Sequence, residues 1–456
     1  MNFIKFYKIP LLFAILSVAF YISFGYDLVR SDFIKLISLY STLFFSAYFL
    51  IEKFKTSFRF LAVLGIVFRL IFLVAIPNLS QDFYRFVWDG RLMSQGVNPY
   101  LFTPDNLSTA LEVTIEQSQQ LIDGMGALNA SHFSNYPPVN QFFFAIAALF
   151  AGKSILGSAI VLRVIIILAD IGILYFGKKL LEKLNLPIKN IFWYFLNPFI
   201  IIELTGNLHF EGVMLFFFVW ALHLLFNRKW LCAAVLIGVS ISVKLIPLLF
   251  LPLFLKNFKH KDDGLELQQR FDRLSVTSLI KFCLVVLITV SVTFLSFFSS
   301  EFVQNFSSTI ALWFQNFEFN ASVYYVIRWI GFKIVGWNII GTVGKILPVL
   351  VLLFVLAISF FRKNKTPQHL LTGMLFAISF YFLLSTTVHP WYIATPLLLS
   401  VFTKYKFPVV WSFVVVLSYS AYGKDGFDEK LCLVGLEYLV VIGVASWELM
   451  KNHRPT

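Results

Sequence analysis

The sequence predicts an all-α fold, a polytopic membrane helix bundle, and three observations carry that prediction. Of the 456 residues, 59% are hydrophobic and only 13% charged, and the mean hydropathy is +0.80. A soluble domain carries about 25% charged residues, so most of this surface cannot face water and lipid must be its solvent. Apolar runs near the length needed to cross a bilayer, about 20 residues, recur at 10–25, 34–51, 60–77, 155–176, 277–299 and 431–449. The basic residues sit in short connections between these runs, the positive-inside pattern. That pattern accounts for the net charge of +13 without a nucleic-acid partner.

Taken in order, the N-terminus with Lys5 and Lys8 is placed inside. The first run is not read as a signal peptide, because no small-x-small cleavage site precedes the polar stretch 26–32. Runs 10–25, 34–51 and 60–77 then cross three times, leaving Lys53, Lys55 and Arg59 inside and 78–137 outside as a long first outer loop carrying interfacial helices. Segment 138–151 is too short to span and is expected to be re-entrant or shallow, which is tolerated where it packs against protein. Lys178, Lys179, Lys183, Lys189, Arg228, Lys229, the basic loop 256–273, Arg362, Lys365, Lys404, Lys406, Lys451 and Arg454 fall inside. Parity then requires 231–256 to be an up-and-down pair of short helices breaking near Lys244, with a similar break near His389. Residues 300–344, with Trp313, Tyr324, Tyr325 and Trp329, form a second outer loop. The length rule gives roughly 13 spanning segments in a single domain. Cys232, Cys283 and Cys432 lie in or beside apolar runs without CxxC spacing, which suits packing residues better than a disulfide framework or zinc site.

Ionisable groups at membrane depth are expensive and are functional candidates by default. In this topology an unusual set collects on one side. Segment 78–100 holds Asp82, Arg85, Asp89 and Arg91; Tyr136 opens the triplet YPP; Glu203, Asn207, His209 and Glu211 surround a break at TGN; Lys244 interrupts an apolar run; and His389, Trp391 and Tyr392 lie in TTVHPWY. Asp82 and Asp89 are seven apart, hence near one face of a helix. A surface-lying helix with snorkelling arginines is the plainer reading of 82–96. It leaves Asp82, immediately after the membrane exit, unexplained. His209 and Glu211 can bind a metal, orient a substrate or hydrogen-bond one another. Lys244 must snorkel, pair or meet an anion, and a phosphate is the obvious one.

The stretch DFYRFVWDGRLMSQGVNPY at 82–100 resembles the first outer loop of GT-C type glycosyltransferases, specifically the polyprenyl-phosphate-mannose-dependent α-mannosyltransferase-like group. YPP at 136–138, NPFIIIELTGNLHFE at 197–211, the lysine of VKLIPLLFLP and HPWY at 389–392 follow in the expected order. One departure is Glu211, where many relatives carry aspartate. The resemblance implies a GT-C bundle with its site on the outer face. It also implies a polyprenyl-phosphate hexose donor, most often mannose, and an inverting reaction with Asp82 as general base.

On that footing Lys244 and one of Arg85 or Arg91 are expected to hold the donor phosphate. His209 and Glu211 would orient sugar hydroxyls or phosphate, and Trp391 and Tyr392 would stack on a sugar or line the lipid groove. Asp89, Tyr136, Glu203, Asn207 and His389 complete the expected substrate-binding set. Burial and Asp89 would raise the Asp82 pKa, and Arg85 or Arg91 would lower it. No cofactor is assigned; a divalent metal is compatible, because carboxylates beside a phosphate attract Mg²⁺. The expected partners are the lipid-linked donor, a glycan or glycolipid acceptor and the bilayer. The expected compartment is a bacterial plasma membrane, with the endoplasmic reticulum second on account of the sequons at Asn106, Asn129, Asn305 and Asn320. A lipid-linked sugar flippase or other transporter is the main alternative. Transporters favour internal repeats and a midplane site, whereas no repeat is evident here and the polar groups cluster at one face.

Overall fold

The computed structural model describes residues 2–54, 56–107, 114–256, 271–362, 364 and 366–453. Most of the basic loop 256–273, together with Lys55, Lys365 and Arg454, lies outside the described residues.

Helix starts follow the side chains that can satisfy the free N–H groups of a first turn. Asp32 accepts from Lys35 N, Ser57 from Phe60 N, Ser154 from Gly157 N, Ser299 from Phe302 N and Thr366 from His369 N. The helices are α1 (Asn2–Tyr26), α2 (Phe33–Tyr48), α3 (Phe58–Ile71), α4 (Asp82–Ser94), α5 (Ser118–Ala130), α6 (Pro138–Ala151), α7 (Ile155–Lys183), α8 (Glu211–Phe226), α9 (Trp230–Val243), α10 (Phe271–Leu295), α11 (Ser300–Gln315), α12 (Val323–Val335), α13 (Ile340–Phe361), α14 (Pro367–Leu384), α15 (Ala394–Val401), α16 (Phe407–Val414) and α17 (Leu431–His453). Short 3₁₀ and π turns, and the single α-helical turn Phe192–Phe195, join them. The two-stranded hairpin pairs Tyr422 with Phe427.

Seven helices among the described residues are long and apolar enough to cross a membrane, or eight if one bent pair counts as a single span. This is fewer than the roughly thirteen expected from apolar length alone. The difference has a physical cause. Several apolar windows do not become straight rods; they break into helices too short to span, including α6, α9, the 3₁₀ run Ile246–Lys256 and 390–401. Two of the expected breaks are present. α9 ends at Lys244, whose backbone is extended, and the 3₁₀ run follows. His389 is likewise extended, as a residue before proline prefers, and a 3₁₀ turn begins at Pro390.

Apolar side chains such as Leu287, Ile288, Val292 and Leu439 remain exposed on the outside of the bundle, as lipid-facing positions do. Inside, α3 and α7 are tied by a buried ion pair, Arg69 Nε to Asp170 Oδ2 at 2.8 Å. Arg69 also donates to the carbonyls of Gly65 (2.9 Å) and Phe195 (2.7 Å). Removing one partner of such a pair strands the other in an apolar interior. Arg69→Met is therefore expected to destabilise the bundle by about 3–5 kcal/mol, and adding Asp170→Leu should recover much of that loss. Thermal unfolding in detergent checks both, and additive losses in the double variant would contradict it.

Candidate active site

The site is built on the bent pair. The π-helical turn Ile200–Gly206 and α8 meet at 109° across a break of four residues. A break this deep leaves carbonyls without helical partners, and Arg163 of α7 supplies the missing donors. Its buried guanidinium donates to Thr205 O (2.8 Å), Gly206 O (3.0 Å) and Leu73 O (2.8 Å). A cation at the carboxyl end of a helical segment is also favoured by the peptide dipoles. Leu208 holds φ +64°, a left-handed backbone that side chains other than glycine rarely adopt. Asn207 accepts from Leu79 N at 2.9 Å and donates to Ile202 O at 3.0 Å. It thus fastens the connection leading to Asp82 onto the break, so its role here is to position.

α4 is buried, contrary to the plain surface-helix reading. Gly90 lies against the backbone of α6, where an added Cβ would overlap the Phe144 carbonyl. Arg85 and Asp89 are buried and pair with each other at 2.7 Å. Arg85 also donates to Asn129 O and His132 O, and Asp89 accepts from Ser134 Oγ (2.6 Å) and Gln141 Nε2 (2.9 Å). Arg91 donates to Gln117 Oε1 (3.0 Å) and Lys153 O (2.8 Å). These three residues brace the first loop and α6, and none of the arginines snorkels.

Asp82, at the first position of α4, is different. It is only half-buried, and among the described residues no cationic nitrogen lies within 4.0 Å of its carboxylate. Burial raises its pKa above the ordinary aspartate range, opposed by the charges of Lys244 and Arg30, while Glu211 adds to the rise and a hydrogen bond from Asn129 lowers it. The charges acting on it are therefore not those of Asp89, Arg85 or Arg91.

Lys244 and Glu211, both within electrostatic reach of Asp82, pair with Nζ 2.7 Å from Oε1, and Glu211 is fully buried. Lys244 also lies 5.9 Å from the Tyr136 ring centre. Trp391 is stacked with His209 (3.6 Å between centres) and with His389 (4.5 Å). Burial first, then Lys244 and Arg30, hold the His389 pKa down to about 3, so the ring is neutral. Glu203 accepts from Tyr419 OH at 2.8 Å. Tyr136 and Tyr392 are within electrostatic reach of Asp82. Several buried polar atoms of these residues lack hydrogen-bond partners among the described residues: His209 Nε2, His389 Nδ1, Glu203 Oε2 and Glu211 Oε2, the Glu211 oxygen that Lys244 does not contact. Unsatisfied buried groups of this kind call for an explanation, and a hydroxyl-rich ligand supplies one. Among the described residues no three His, Cys, Asp or Glu side chains are grouped to hold a metal ion.

Sequence reasoning therefore gathered Asp82, Tyr136, Glu203, His209, Glu211, Lys244, His389, Trp391 and Tyr392 into one region, while Arg85, Asp89, Arg91 and Asn207 turn out to brace it. It missed Arg30, Arg163, Tyr419 and Tyr422. Arg163 sits within the apolar run 155–176, and the same rule that singled out Lys244 would have found it. Asn320, one of the sequon asparagines, is buried and donates to Glu437 Oε1 at 3.3 Å.

Broken helices that gather carboxylates, a lysine and stacked imidazoles beside an early loop define a membrane protein of GT-C type. Residues 28–258 match the family described as alpha-(1->6)-mannopyranosyltransferase, N-terminal domain, and the chain belongs to that family. Residues 205–423 match a second description, mannosyltransferase (PIG-M). A curated relative, alpha-(1->6)-mannopyranosyltransferase A of Mycobacterium tuberculosis, is 21% identical over 173 residues, which covers 38% of this chain and 32% of the relative. The aligned part thus spans about a third of that relative's length.

The Asp82 carboxyl should titrate, by infrared difference spectroscopy against Asp82→Asn, above the ordinary aspartate value of about 3.9. Lys244→Met should move it higher still, because losing a nearby cation disfavours the charged form. A downward shift in that variant would contradict the placement of Lys244 beside Asp82.

Proposed function

We propose that this protein transfers a hexose, mannose, from a polyprenyl-phosphate donor to a glycan or glycolipid acceptor on the outer face of a bacterial plasma membrane, with inversion at the anomeric carbon. The observation that carries this reading is Asp82, a half-buried carboxylate without an ion-pair partner within 4.0 Å among the described residues, within electrostatic reach of the Lys244–Glu211 pair. The family descriptions support mannosyl transfer. They also name an α-linked product for the matched family, so inversion requires a β-linked donor.

The chemistry needs a base on the acceptor side and charge stabilisation on the leaving side. Asp82 takes the proton of the acceptor hydroxyl as its oxygen bonds to C1. The C1–O bond to phosphate breaks, and its electron pair leaves on the phosphate oxygen. Phosphate is already a good leaving group, so no general acid is required of the protein. Lys244 faces that phosphate. Glu211 both positions Lys244 and, with the neutral imidazoles of His209 and His389, offers acceptors and donors to sugar hydroxyls. Trp391 and Tyr392 give the sugar an apolar face to rest on, and Tyr136 closes the side near Asp82.

Membranes containing the wild-type chain should transfer mannose from synthetic β-linked polyprenyl-phosphate-mannose. Asp82→Asn should lose about 100-fold or more of that rate at unchanged protein level. Full activity in the variant would refute the base assignment. Lipid translocation by the wild type without sugar transfer would replace this reading with the flippase.

A further inference from the structure

The leaving side of this site has more negative charge to meet than Lys244 can supply. Lys244 is already in contact with the buried Glu211 carboxylate at 2.7 Å. The donor phosphodiester carries one negative charge. The departing polyprenyl phosphate is a monoester whose second pKa is about 6, so it approaches two charges near neutral pH. Stabilisation that grows along the reaction lowers the barrier, whereas equal binding of donor and transition state does not.

We infer that Arg30, in the connection between α1 and α2, is the second cation of the leaving-phosphate subsite, an assignment that rests on the donor class proposed above. The connection is held at the site. Asn78 Nδ2 donates to Phe24 O (2.7 Å) and Leu28 O (3.1 Å), so the chain just before Arg30 is tied to the chain just before Asp82. The Arg30 guanidinium lies 3.2 Å above the centre of the Tyr422 ring. Tyr422 in turn is 6.0 Å from the ring of Tyr419, the residue that holds Glu203, and 6.0 Å from Phe319, whose ring is 5.2 Å from His389.

Arg30 is thus set in the aromatic wall of the site. Its Nε is buried without a hydrogen-bond partner, and among the described residues no carboxylate oxygen lies within 4.0 Å of it. A half-buried guanidinium on an aromatic face is more weakly hydrated than an ammonium, and its fork matches phosphate geometry. Its field reaches Asp82, Glu203 and both imidazoles. The buried arginines, Arg69, Arg85, Arg91 and Arg163, each donate to a protein carboxylate or carbonyl. Half-buried Arg30 is engaged by Tyr422 and, among the described residues, is neutralised by no carboxylate, which leaves its charge for a ligand. As the C1–O bond breaks, the electron pair moves to the phosphate oxygen that Arg30 and Lys244 share, while the proton goes to Asp82.

The test uses the purified full-length chain in lipid nanodiscs, with binding read from intrinsic tryptophan fluorescence. The probes are a short-chain polyprenyl phosphate, the matching polyprenol and inorganic phosphate. The wild type should bind the lipid phosphate much more tightly than the alcohol. Arg30→Gln should lose about tenfold or more of that preference, Arg30→Lys should restore part of it, and the KM for acceptor should stay unchanged while kcat falls. Wild-type preference retained in Arg30→Gln, at normal thermal stability, overturns the inference and leaves the donor class standing. A wild type that does not distinguish the phosphate from the alcohol overturns both. Inorganic phosphate bound as tightly as the lipid, and lost equally in the variant, would assign Arg30 to a free-phosphate site and overturn its role at the leaving group.

Discussion

Arg163 holds together a place where a helix would otherwise have to run straight or come apart. Its guanidinium meets three main-chain carbonyls at Leu73, Thr205 and Gly206. An unsatisfied carbonyl at this depth would be costly, because hydrocarbon offers no replacement partner. With those carbonyls satisfied, the chain can turn by 109° between Gly206 and Glu211. Glu203, His209 and Glu211 then converge instead of being spread along a rod. Asn207 extends the same constraint to Leu79 and so to the start of α4.

The charged groups around this bend divide into two kinds. Arg69–Asp170 and Arg85–Asp89 are buried, mutually paired and further bonded to the backbone, which makes them rigid braces. Asp82 and Arg30 are half-buried and lack close opposite charges, while Lys244, the remaining cation of the site, is partly exposed and in contact with Glu211. Both kinds occur along the same helix: Asp82 and Arg85 are one turn apart, yet Arg85 is buried and paired while Asp82 is half-buried and unpaired. Asp82 at the start of α4 is half-buried, whereas further along the helix Gly90 lies against the Phe144 carbonyl of α6.

Much of this was legible in the sequence. Composition and apolar runs defined a helical membrane bundle, and isolated charges in those runs marked residues that the fold brings together in the candidate site. The breaks at TGN, Lys244 and His389 could be read because glycine, lysine and a His-Pro pair interrupt otherwise apolar stretches. The number of spans could not be read, since apolarity measures what is shielded from water and does not distinguish lipid from protein as the shield. The roles of Arg85 and Asp89 were equally hidden. Their i,i+4 spacing permits a salt bridge, but the partners that lock it, Ser134 and Gln141, lie some 45 and 52 residues further on. Arg30 was out of reach because Tyr422, its aromatic partner, belongs to the far end of the chain.

The most direct measurement is a cryo-electron microscopy structure of the chain with a non-transferable polyprenyl-phosphate-mannose analogue. The expected result is a phosphate in contact with Lys244 and Arg30, the sugar resting on Trp391, and the Asp82 carboxylate on the opposite face of C1. A phosphate held instead by Arg85 or Arg91, or Asp82 on the same side of C1 as the phosphate, would contradict the arrangement described above.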